Sequence, residues 1–177
     1  MKKLFFLLTA ITLLTSCDKD GQIFASKDQL PPETQTGANT VGCLVNGKVF
    51  LPHQEGIDSP VNCFYQFVKG EYYFTMAFAD YRGASIESVN IYTAKTVLTV
   101  GQTYSLNQGY GPDTGGGVEY YTDLNNKFST NLINVGELKI TRIDVSKSIV
   151  SGTFWFDAIN SKGEKVEIRE GRFDWNY

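Results

Sequence analysis

Between Ser151 and Arg169 apolar and polar residues trade places at almost every second position. Phe154, Phe156 and Ala158 fall on one side of the chain, with Thr153, Trp155 and Asp157 on the other. Further on, Val166 and Ile168 alternate with Lys165, Glu167 and Arg169. A period of two puts successive side chains on opposite faces of an extended strand, one dry and one wet. No window offers a 3.6-residue apolar period and no heptads occur, so strands must bury their apolar faces against other strands.

The same period runs through the earlier chain. Val41, Cys43 and Val45 alternate up to Asn46-Gly47, and Lys48 to Leu51 continue beyond it. Asn-Gly between such runs predicts a two-residue hairpin, because a type I′ turn needs positive φ at both central residues. Val61 to Val68 and Tyr72 to Ala79 are joined across Lys69-Gly70. The second of these is fairly apolar on both faces, as expected of a strand covered on both sides. Ser88 to Thr93, Thr103 to Leu106 and Glu119 to Thr122 are shorter candidates. Glu137 to Val145, Ile149 to Ala158, Lys165 to Arg169 and Gly171 to Trp175 read as a meander, with Asn160-Ser161-Lys162-Gly163 as one of its turns. Roughly nine to ten short strands predict a single all-β domain over residues 40–177. An antiparallel β-sandwich is expected, with a closed or partly open barrel as the alternative.

The first residues follow another logic. Lys2 and Lys3 precede an apolar run from Leu4 to Leu14, eleven residues long. That is the length of a secretory signal and too short to cross a bilayer as a helix. Ser16-Cys17 directly after it is the pattern of a bacterial lipoprotein cleavage site. Residues 1–16 are therefore expected to be a signal peptide, and Cys17 the site of lipid attachment. Two or more acyl chains anchor a protein stably. Residues 17–39 are polar and carry Pro31-Pro32, and they read as the lipidated cysteine and a flexible tether. Residues 18–39 would reach ~25 Å. The expected location is the cell envelope, at the outer membrane in preference to the inner, with membrane lipid the partner of acylated Cys17.

Removing residues 1–16 takes two lysines and no acids, leaving 14 basic against 19 acidic side chains, a net charge of −5. That mild acidity argues against nucleic acid as a partner and against a polybasic membrane patch. With Cys17 assigned to lipid, Cys43 and Cys63 remain. In an oxidising compartment they can form a disulfide closing a loop of about 20 residues, worth roughly 3 kcal/mol. The other reading is two separate buried thiols.

Few groups suggest catalysis. His53, the one histidine, follows Pro52 in a polar loop and reads as solvent-exposed, and no CxxC, HExxH or GxSxG occurs. Paired carboxylates can cleave glycosides, but acids such as Glu137, Glu164, Glu167 and Asp174 read as turn or wet-face residues. Gln108 to Gly117 is glycine-rich yet lacks GK[ST] and a following helix, so it reads as a mobile loop in place of a phosphate cradle. Asp113, Asp123 and Asn125 lack the spacing of a calcium loop. Neither cofactor nor metal is expected. Aromatic residues make 14% of the chain. Tyr110, Tyr120 and Tyr121 border the glycine loop and Trp155 opposes Phe154 and Phe156, so these four are the candidate ligand-binding aromatics. Exposed rings can stack on sugars or anchor a protein.

TQTGANTVGCLVNGKVFLP (residues 34–52) and SGTFWFDAINSKGEKVEIREGRFDWNY (residues 151–177) resemble the two ends of a family of small uncharacterised β-rich lipoproteins of Bacteroidota. The resemblance implies fold and location and supplies no mechanism. The expected function is that of a membrane-anchored, non-catalytic binding or structural module of the cell envelope. Alternatives are an accessory protein binding a glycan or a peptide of an envelope protein through the aromatics, and a small carboxylate-dependent hydrolase.

Overall fold

The alternating segments form eleven strands in a computed structural model that describes residues 29–57, 59–82, 85–108, 115–123 and 125–177. They are β1 (Thr40–Val45), β2 (Lys48–Phe50), β3 (Val61–Val68), β4 (Glu71–Asp80), β5 (Glu87–Ala94), β6 (Thr103–Gln108), β7 (Gly115–Asp123), β8 (Asn126–Ser129), β9 (Gly136–Asp144), β10 (Ile149–Asn160) and β11 (Lys165–Asn176). No helix occurs among the described residues. The signal peptide, Cys17 and Tyr110 lie outside them.

All eleven strands belong to one sheet in the order β2-β1-β11-β10-β9-β6-β7-β5-β4-β3, while β8 pairs with both β7 and β10. The sheet folds back on itself. The rings of Phe74 and Phe173, on β4 and β11, are centred 5.9 Å apart, and those of Phe78 and Phe154 6.2 Å apart. Strands far apart in the order thus face each other across one core, as in a sandwich. The two ends of the sheet also meet: His53, just past β2, bridges to Asp80 at the end of β4, and its amide donates to the Ala79 carbonyl at 3.0 Å.

Asn46 and Gly47 both have positive φ, 48° and 79°, and join β1 to β2 as the Asn-Gly signal requires. Four strand assignments need correction. The two segments expected at Lys165 to Arg169 and Gly171 to Trp175 are one strand, β11, whose register against β10 shifts between Phe154 and Phe156. β8 has no alternation long enough to read from sequence. Gly115 to Gly117 is not loop but the start of β7, and β7 runs parallel to β6 in a sheet otherwise antiparallel. The reason is contact: a Cβ on Gly117 would strike the Gln108 carbonyl oxygen, so only glycine lets these strands approach.

Residues 29–39, expected within the flexible tether, are held against the domain. Asp174 of β11 accepts from Thr34 Oγ1 at 2.7 Å and from the amides of Thr36, Gly37 and Ala38 at 2.8, 2.8 and 3.1 Å. Ser151 Oγ of β10 adds another bond at 2.7 Å. Asp174 is therefore buried, 1% exposed, and not on a wet face. The same clasp explains why the two bracketing motifs occur together, since β1 and β11 pair directly. Asn46 adds a contact at the far end of the pair, accepting from the Glu167 amide at 2.9 Å.

Candidate functional site

Strands β3, β4, β5, β7 and β8 present one outer face, and small side chains decide its shape. Phe74, Met76 and Phe78 of β4 point into the core, which leaves Thr75 and Ala77 outside. Asn62 of β3 and Ser88 and Asn90 of β5 are similarly short. Over these residues lies an open groove of about 610 Å³, bounded by Pro60, Tyr81, Tyr121 and Lys127.

At the base of the groove stands Glu119, only 5% exposed. Its carboxylate accepts from Lys127 Nζ at 2.9 Å and from the Tyr121 hydroxyl at 3.1 Å. The Glu119 hydrogen bond holds the Lys127 ammonium above its usual range, ahead of the opposing effect of burial. Nearby, the buried Oδ1 of Asn90 has no hydrogen-bond partner among the described residues. The groove thus offers carboxylate, ammonium, amide and phenol groups beside tyrosine faces.

The expected aromatic residues do not gather in one site. Tyr121 lines the groove. Tyr120, next in sequence, points inward, is 3% exposed and does not line this groove, touching instead a smaller one by the β1–β2 turn. Its ring packs on Phe128 at 5.8 Å and its hydroxyl donates to Glu87 at 3.1 Å. Burial, then the Glu87 charge, pushes its pKa up. Trp155 lies on a different outer face, over β9 to β11, beside a second groove of about 500 Å³ that Glu33, Glu137 and Arg172 also line. The Trp155 indole donates to Glu137 at 3.1 Å and the Arg169 guanidinium sits 5.6 Å from its ring centre.

A third, smaller groove of about 360 Å³ lies by the β1–β2 turn, with Asp80, Arg82 and Glu87 on its wall. Asp80 and Arg82 pair at 2.6 Å, and that hydrogen bond holds the Asp80 carboxyl below its usual range. His53 is not a free loop residue: its Nδ1 lies 3.1 Å from the Leu51 carbonyl and 3.7 Å from Asp80. Among the described residues no three His, Cys, Asp or Glu side chains cluster as metal ligands would.

Cys43 and Cys63 are free thiols in the structure, the second of the two readings left open by the sequence. They stand on β1 and β3, near opposite ends of the strand order. Burial pushes Cys63 up to about 12 and Cys43 higher still. Glu119 and Lys127 escaped the sequence reading. The one available signal was the charge at position 119 between apolar Val118 and Tyr120, which places it on the outward face of β7.

One protein-family model, described as a domain of unknown function (DUF6252), matches residues 81–174, just over half of the 177. The match runs from the turn after β4 nearly to the end of β11 and includes Glu119, Tyr121, Lys127 and Trp155. No curated protein and no solved structure matches the chain.

Proposed function

The chain belongs to this family of domains of unknown function, which lends it no activity, and from its own residues we propose a lipid-anchored envelope module that binds a hydroxyl-rich ligand, a glycan, in the β3–β8 groove. The observation that carries the reading is Glu119, a buried charge fixed by Lys127 and Tyr121 at the base of an open polar groove. Neighbouring hydroxyls of a sugar satisfy a carboxylate and an ammonium together, and a tyrosine face takes the apolar side of the ring. The buried Asn90 oxygen lacks a donor among the described residues, a deficit of about 1–3 kcal/mol that a ligand hydroxyl reaching it would remove.

Binding is favoured over hydrolysis by the carboxyl groups themselves. Among the described residues, the three that depart from their ordinary range, Asp80, Asp144 and Asp174, are all shifted down. A general acid in glycoside hydrolysis needs the reverse.

The anchor rests on the Ser16-Cys17 motif. Cell fractionation of Cys17→Ser is expected to move the protein from membrane to soluble fractions, and retention at the wild-type level would contradict the anchor. For the groove, affinity electrophoresis through immobilised envelope polysaccharide is expected to retard the wild type. Tyr121→Ala and Lys127→Ala should each weaken retardation about tenfold, equivalent to about 1.4 kcal/mol. Wild-type mobility in both variants would remove the groove from the account.

A further inference from the structure

We propose that the end of the molecule formed by the β3–β4 hairpin, the β5–β6 loop and the β9–β10 turn rests on an anionic phospholipid surface. An apolar patch is exposed there. Phe67 is 62%, Val97 63% and Val145 71% exposed. Behind them the rings form a chain: Phe67 and Tyr72 are centred 4.9 Å apart, Tyr72 and Tyr65 4.9 Å, and Tyr65 and Tyr177 6.0 Å. The loop carrying Val97 is fastened to these rings, because the Leu98 amide donates to the Tyr65 hydroxyl at 3.0 Å. Tyr104 likewise accepts from the Thr99 amide at 2.7 Å and donates to the Val97 carbonyl at 3.0 Å. Apolar side chains with phenol hydroxyls behind them match the boundary between headgroups and acyl chains.

Charge selects the occupant. Each of the three segments carries an exposed lysine, Lys69, Lys95 and Lys147, and none is ion-paired among the described residues. Of the neighbouring acids, Asp144 is bonded to Arg142 at 2.8 Å, which leaves Glu71 against three lysines. On a chain whose balance past residue 16 is −5, this end is locally basic and complements anionic headgroups. Lys69 and Lys95 both sit at φ 51°, a conformation that asparagine adopts more readily.

The covalent chain agrees. Leu30 lies beside Gly42, three residues into β1 from this end. The twelve residues from Asp18 to Gln29 can span at most about 40 Å, a length compatible with setting this end on the lipid that holds Cys17. In that respect the inference rests on the anchor proposed above. The groove then faces away from the bilayer, since Ser59, Tyr81 and Ser88 on its wall lie at the opposite ends of β3, β4 and β5.

The test uses the protein purified from its host membrane and reconstituted in phosphatidylglycerol-containing vesicles with brominated acyl chains. The indole added by Phe67→Trp is expected to blue-shift and be quenched at least fivefold more than that added by Leu132→Trp, at an equally apolar exposed site outside the patch. Combining it with Lys69→Asn, Lys95→Asn and Lys147→Asn should abolish the quenching while vesicle retention persists. Equal quenching at residues 67 and 132, or undiminished quenching in pure phosphatidylcholine, would overturn the inference. So would protection of residue 67 that requires an added envelope protein. Failure of the anchor reads out separately, as vesicle retention that does not depend on Cys17.

Discussion

Asp174 shows how one side chain joins the two ends of the chain. Burial on its own would raise its pKa, but the hydroxyls of Ser151 and Thr34 and the amides of Ala38 and Thr36 outweigh that and hold the carboxyl well below its usual range. Its folded pKa lies under the unfolded value of about 3.9, so the stabilisation is fully present above roughly pH 4 and is lost as pH falls below it. Asp174→Asn should cost about 2–3 kcal/mol at pH 7 in urea unfolding. At pH 3 the difference between variant and wild type should shrink, and a constant difference would contradict the linkage. The thiols give a second prediction at this scale. Iodoacetamide at pH 8 should label neither Cys43 nor Cys63 in the native protein, since burial raises both pKa values. In denaturant without reductant mass spectrometry should find both labelled. No label there would restore the disulfide.

At the scale of elements, β10 and β11 are fitted by a reciprocal exchange of size. Phe154 stands opposite Gly171, and Gly152 opposite Phe173. A Cβ on Gly171 would strike the Phe154 ring, and one on Gly152 would meet Phe173 Cζ at 2.7 Å. Each ring thus covers the bare backbone of its partner, as aromatic residues do for strand glycines. Gly171→Ala should cost about 1–3 kcal/mol through overpacking, read as a lower urea midpoint with unchanged slope. An unchanged midpoint would mean the ring has room to move.

Most elements were legible because alternation and turn chemistry agreed. Asn46-Gly47 and Lys69-Gly70 end their strands at the expected residues. Where the reading failed, the cause was long-range. Gly115 to Gly117 has the composition of a loop but lies in β7 because β6 packs against it, and only the fold supplies that neighbour. Asp174 reads as a wet-face acid until Thr34 to Ala38 are seen to wrap it. β8, four residues long, is too short to show a period and exists because β7 and β10 both leave edges open to it.

For the whole molecule, the sheet order places the candidate site residues where no local pattern reveals them. Tyr120 and Tyr121 are adjacent in sequence, yet one is in the core and the other in the groove. Trp155 is half-buried and faces away from the core as its alternation implies, but on another face. Glu119 and Lys127 meet because β7 and β8 pair, with Tyr121 opposite Lys127 in the register. The groove is therefore a product of pairing, and the proposed glycan would contact side chains from all five strands at once. The most direct test is a titration of the isotope-labelled protein with oligosaccharides from envelope glycans, followed by amide chemical shifts. The account predicts saturable shifts centred on Asn62, Asn90, Glu119, Tyr121 and Lys127, lost in Tyr121→Ala. Shifts confined to the Trp155 face, or none with any oligosaccharide, would contradict it.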